Sequence, residues 1–82
     1  MDQIARTPKQ LGAALRRRRR LLRLSQAALG ARTNLRQATI SALENGEPGS
    51  QLRTLLDVMA ALELELAVRD RSKANENVAD LF

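Results

Sequence analysis

Cysteine and histidine are both missing from this 82-residue chain, and Phe82 is its only aromatic residue. Without thiols, neither disulfides nor thiolate metal sites can reinforce the fold, and without imidazole the commonest zinc ligand and general base is gone. With a single aromatic ring, the base-stacking platforms of single-strand and RNA-recognition modules cannot be built. No run approaches the ~20 apolar residues that span a bilayer, and the N-terminus has no apolar segment followed by a small-residue cleavage site. A glycine loop that could cradle phosphate and a carboxylate pair in a candidate pocket are also missing. These absences argue against an enzyme, a metal or cofactor protein and a membrane protein, and a cytoplasmic location is expected.

What is present is positive charge. Fourteen Lys and Arg against nine Asp and Glu give a formal charge of +5, a balance that suits a polyanion. Arginine strongly outnumbers lysine, and its guanidinium can grip phosphate or guanine through two parallel hydrogen bonds; genomic composition bias would produce the same excess. A chain of this length is one small domain that buries only about 60% of its unfolded surface, so a partner would help to stabilise it.

The pattern along the chain is helical. Thr7-Pro8 is a start signal, with threonine at the cap and proline at the first helical position. Leu11, Ala14, Leu15, Arg18 and Leu22 then share one face, broken only by Arg18, while Arg16, Arg17, Arg19, Arg20 and Arg23 occupy the rest. Ser25 caps a second short helix whose inner face holds Ala28, Leu29 and Gly30. Asn34 makes the corner, because asparagine tolerates positive φ. Leu35, Ile40 and Leu43 face inward on a third helix, leaving Arg36, Gln37, Ala38, Thr39, Ser41 and Ala42 on or near its outer face. Asn45-Gly46-Glu47-Pro48-Gly49 is a stop and a loop. Ser50 is the expected cap of a fourth helix over about 51–62, with Leu52, Leu55, Leu56, Met59 and Leu62 as its core stripe.

From Leu62 the period changes to two: Leu62, Leu64, Leu66 and Val68 alternate with Glu63, Glu65, Ala67 and Arg69, as in a half-buried strand. A lone strand leaves backbone groups unpaired, so the simplest partner is the same strand of a second copy, antiparallel about a two-fold axis. An axis near Leu66 would set Glu63 opposite Arg69 and Leu64 opposite Val68. A further turn of the fourth helix is the competing reading. The expected organisation is a domain over 1–70 and a polar tail over 71–82 without fixed structure, ending in the apolar tip Leu81 and Phe82, either a frayed end or a docking element for a partner.

The segment LSQAALGARTNLRQATISALE (24–44) carries a resemblance. Gln26, a small residue at Gly30, Asn34 at the turn, Gln37, Ile40-Ser41 and Glu44 resemble the Xre/Cro-type helix-turn-helix family of phage and bacterial repressors, over about 11–62. The resemblance implies a lambda-repressor-like bundle of four to five helices. It also implies a pair between Arg19, seven residues before Gln26, and Glu44. Asn34 and Arg23 depart from the pattern, since glycine is usual at both. Within the family the chain is most similar to HipB-type antitoxins, through RQATISALENG, the leucine-rich fourth helix, LELEL and the polar tail with a large apolar end. That likeness implies a homodimer that binds operator DNA, represses its own operon and restrains a HipA-like serine/threonine kinase toxin.

The residue chemistry agrees with a DNA reader. The major groove, roughly 12 Å wide, admits a helix, and each base pair shows a distinct donor and acceptor pattern there. Gln37 matches adenine N6 and N7, Arg36 can fork onto guanine O6 and N7, Ala38 and Thr39 can meet thymine methyls, and Ser41 can reach a base edge or phosphate. Gln26, Arg16, Arg20 and Asn45 are the candidate phosphate contacts, with Gln26 favoured by the first turn of its helix. Five consecutive arginines project all round a helix, so some must serve structure. Two copies would read an inverted repeat with half-sites about 34 Å apart or a multiple. A stand-alone repressor without a toxin is the alternative, and an arginine-rich module for proteins or anionic membrane surfaces is the reading from another class.

Overall fold

A computed structural model describes residues 3–71. Among the described residues four helices follow one another, α1 Pro8–Leu21, α2 Gln26–Thr33, α3 Gln37–Glu44 and α4 Leu52–Ala61. The α1 start is doubly tied. Thr7 accepts the Gln10 N–H at 3.0 Å, and the Gln10 side chain reaches back to accept the Arg6 N–H at 2.7 Å, a reciprocal cap that satisfies two otherwise orphaned donors. Ser25 caps α2 more simply, accepting the Ala28 N–H at 3.0 Å.

Leu15, Leu29, Ile40, Leu43, Val58, Met59 and Leu62 form the core, with Leu11, Leu22, Leu24, Leu35, Leu55, Ala61 and Leu64 packed around it. Burying each large aliphatic side chain contributes about 1.5–3 kcal/mol. The α3 helix packs on both α1 and α2, and α2 on α4. The α1–α3 crossing is so close that a Cβ on Gly12 would stand 2.5 Å from the carbonyl oxygens of Leu43 and Glu44. Only glycine lets α1 lie directly on the end of α3.

One device ends all four helices. A residue in left-handed backbone, Arg23 (φ 59), Asn34 (φ 58), Gly46 (φ 74) or Glu63 (φ 59), is followed by a residue whose N–H folds back onto the last turn. Leu24 donates to Arg19 O at 3.0 Å, Leu35 to Gly30 O at 2.9 Å, Glu47 to Ala42 O at 3.1 Å and Leu64 to Met59 O at 2.8 Å. This satisfies orphan carbonyls, and the apolar residue that follows usually packs back on the helix. Leu24, Leu35 and Leu64 do so here. Glycine occupies the position only at 46, where a Cβ would meet the Lys9 Cα at 2.5 Å.

Three expectations are corrected. The cap of α4 is Gln51, without a side-chain cap bond, not Ser50. Leu52 and Leu56 are exposed, whereas Val58 is buried, because the inward face of α4 follows Leu55, Val58, Met59 and Leu62 at steps of three, one and three. Finally, no strand occurs among the described residues. Leu62 and Glu63 belong to the α4 ending, Leu64 is half-buried against the chain's own core, and the competing extra helical turn is not formed either. Glu63 is in left-handed rather than extended backbone, so the single chain does not hold it in the conformation that the register opposite Arg69 requires. Residues 65–71 have no regular structure in the single chain. The tail tip, Leu81 and Phe82, lies outside the described residues.

Candidate nucleic-acid interface

The sharp α2–α3 corner rests on Asn34 in left-handed backbone and on Gly30, where a Cβ would come within 2.6 Å of Leu35 O. It turns the outer face of α3 outward: Arg36, Gln37 and Ala38 are exposed, and Thr39, Ser41 and Ala42 half-buried. Arg36 is the extended cap residue of α3 rather than part of the helix. Arg36, Ala38, Thr39 and Ala42 form one wall of a shallow groove whose other wall is the loop from Glu47 to Gln51 with Thr54.

Behind this face lies a buried ion pair. Arg19 on α1 donates Nε to Glu44 Oε2 at 2.6 Å and Nη2 to Oε1 at 2.9 Å, and its Nη1 reaches Leu24 O at 2.8 Å. Both residues are buried, at 8% and 4% exposed, and the parallel two-bond geometry fixes orientation as well as charge. Burial pushes the Glu44 carboxyl up, but hydrogen bonds from Arg19 and Gln26, the Arg19 charge and a bond from Arg16 together outweigh it, so the group sits below its ordinary 4.5. The bond to Glu44 holds Arg19 above its ordinary value, against burial and with help from the Glu44 charge.

Glu44 also anchors the polar surface. Gln26 donates Nε2 to Glu44 Oε1 at 3.2 Å, and the Gln26 Oε1 accepts from Gln37 Nε2 at 3.4 Å. Gln37 is thus steadied through Gln26, and its own Oε1 and second N–H are left for an outside partner. Arg16 donates Nη2 to Asn45 Oδ1 at 2.8 Å, with its Nε 3.5 Å from Glu44 Oε1. The structure therefore groups Arg16, Arg19, Gln26, Gln37, Glu44 and Asn45 around one carboxylate. Arg20 is exposed on α1 and stands outside this cluster.

Sequence reasoning missed several contacts. The Gln26–Gln37 contact joins residues eleven apart on different helices, so no local signal carries it. The Gln10 cap was readable from the Thr7-x-x-Gln10 spacing. Arg18, the one break in the α1 stripe, donates Nε to Leu62 O at 2.9 Å; a polar residue on an apolar face was its signal. No group of His, Cys, Asp or Glu among the described residues could hold a metal, and no described helix is long and apolar enough to cross a membrane.

Comparison with known proteins agrees with this geometry. The helix-turn-helix family profile matches residues 15–68. The antitoxin HipB of Escherichia coli O6:H1 (strain CFT073) is 30% identical over 74 residues, covering 90% of this chain and 79% of HipB. Among solved structures, a HipB–O4 20mer complex superposes with a TM-score of 0.80 at 30% identity, over 87% of this chain and 100% of that one. A HipA-HipB-O2-O3 complex gives the same TM-score, identity and coverage. A profile match over most of the chain, joined to a bundle whose α2–α3 corner turns a polar helix face to solvent, makes the chain a member of the Xre-type helix-turn-helix family of DNA-binding proteins, similar to the HipB antitoxins within it.

Proposed function

We propose that two copies of this chain bind an inverted-repeat operator through α3, repress the operon that encodes them and, as an antitoxin, neutralise a HipA-like serine/threonine kinase. The observation that carries this reading is the tether from buried Glu44 through Gln26 to Gln37. It presents one acceptor and one donor, the complement of adenine N6 and N7, on a side chain held before DNA arrives.

Around that reader, exposed Arg36 reaches guanine, and Ala38, Thr39 and Ser41 meet thymine methyls or base edges. Arg16 and Asn45, already bonded to each other, share the phosphate role with Gln26 and Arg20. Among the apolar side chains left at the surface, Leu52 (64% exposed) and Leu56 (41%) on α4 and Leu66 (54%) and Val68 (97%) beyond it support a second copy of the chain as a partner, with 65–71 as an arm between protomers. The relatives' complexes with an O4 20mer and with HipA support operator and toxin as partners. On this reading 1–70 is the DNA-binding and dimerisation domain, 71–82 a C-terminal tail, and the site of action the cytoplasm.

Selection from random duplexes tests the DNA half. Recovery of an inverted repeat, bound with an affinity that falls steeply with salt, is the expected result; recovery of no common sequence would overturn it. For the antitoxin half, co-expression should silence the kinase activity of a HipA-like protein encoded beside it, and an unaffected kinase would reduce the reading to a stand-alone repressor.

A further inference from the structure

Arg18 and Arg19 are neighbours on α1 and bond to the ends of two different helices. Arg19 grips Glu44 at the end of α3, and Arg18 grips the carbonyl of Leu62, where α4 finishes. Placing a half-buried guanidinium in an otherwise apolar stripe carries a desolvation cost, and the carbonyl that it meets is one that the helix ending leaves open. The Ala60 and Met59 carbonyls are already taken by the N–H groups of Glu63 and Leu64. Leu64 then lies against the core, and from 65 onward the chain leaves the bundle with Leu66 and Val68 exposed. The root of the departing arm is therefore held at two points, an apolar one at Leu64 and a polar one at Arg18.

We propose that Arg18 is a positioning residue for DNA specificity, setting which half-site spacing the protein reads. This rests on the proposed binding of two copies to an inverted repeat. One rigid helix carries both ties, so the angle between the arm and α3 is fixed through adjacent side chains. In a dimer joined by its arms, that angle sets the separation and twist of the two α3 helices. Moving one half-site by a single base pair turns it about the DNA axis by about 35°, which a fixed angle rejects and a loosened one follows. Arg18 touches no base, so base preference within a half-site is unaffected by it.

The test uses the full chain and duplexes carrying the selected half-site as inverted repeats at the preferred spacing and at one and two base pairs either side, with a single half-site as control. Wild-type protein should favour one spacing by about tenfold or more in affinity. Arg18→Met, similar in length but without the donor, should bring all spacings within about twofold while leaving the single half-site within about twofold of wild type. Arg18→Lys, which keeps a donor, should recover most of the spacing preference. If Arg18→Met loses its helical circular dichroism, Arg18→Gln, too short to span to Leu62, takes its place with the same readout. A wild-type spacing preference retained by the donor-less variant overturns the proposal. Absence of any spacing preference in the wild type overturns it together with the two-copy reading, and that failure is visible before any substitution is made.

Discussion

Two faces of α1 meet different kinds of neighbour. On the α3 side it meets the seam of Arg19, Glu44, Gln26 and Arg16, held by directional bonds to one carboxylate, with Gly12 removing the side chain that would keep the helices apart. On the α4 side, contacts are apolar, through Leu62 and Leu64, with the single Arg18 bond added. Apolar packing tolerates small shifts, whereas a bidentate pair does not. The bidentate seam lies under the outer face of α3, whereas under the departing arm the apolar packing is pinned by the one directional bond from Arg18.

Breaking the α3 seam should have the largest effect. Glu44→Ala leaves the Arg19 guanidinium buried without its partner, and a loss of about 3–5 kcal/mol in urea unfolding is expected. Acid should attack the same point. Because the folded carboxyl titrates below its ordinary 4.5, its contribution is complete above that value and fades as pH falls through the lower folded value. Stability measured from pH 6 down to pH 2 should therefore drop more steeply in wild type than in Glu44→Gln. Gly12→Ala comes next. Its methyl meets backbone oxygens that cannot turn away, so a loss of about 1–3 kcal/mol is expected. Smallest, and opposite in sign, is Arg23→Gly. Arg23 is exposed in left-handed backbone, so glycine should relieve strain and raise stability by about 0.5–1 kcal/mol. Loss of stability there would show that the Arg23 side chain makes contacts outweighing its backbone strain.

The same contrast separates what could be read in the sequence from what could not. The α2–α3 unit was legible because its signals are local: Ser25 as a cap, Gly30 for close approach, Asn34 for positive φ. The end of α4 was misread because alternation of leucine and glutamate fits two structures. In LELEL, Leu62 closes the helix, Glu63 takes the left-handed position and Leu64 folds back, a pattern with the same spacing as a strand. The absence of glycine at that position hid it. Leu52 and Leu56 were drawn into the core stripe because leucine there satisfies a helical period equally well, and only the packing direction chosen by Val58 and Met59 decides between them. The polar cluster could not be assembled from spacing, since its members come from three helices.

The role proposed for Gln37, steadied by Gln26, is to read bases rather than merely to face solvent. The most direct measurement is the ratio of affinities for the selected operator and for random duplex at fixed salt, in wild type and in Gln37→Ala. In Gln37→Ala that ratio should fall by an amount equivalent to about 1–3 kcal/mol, with random-duplex affinity nearly unchanged. Equal losses on both duplexes, or no loss on either, would contradict it.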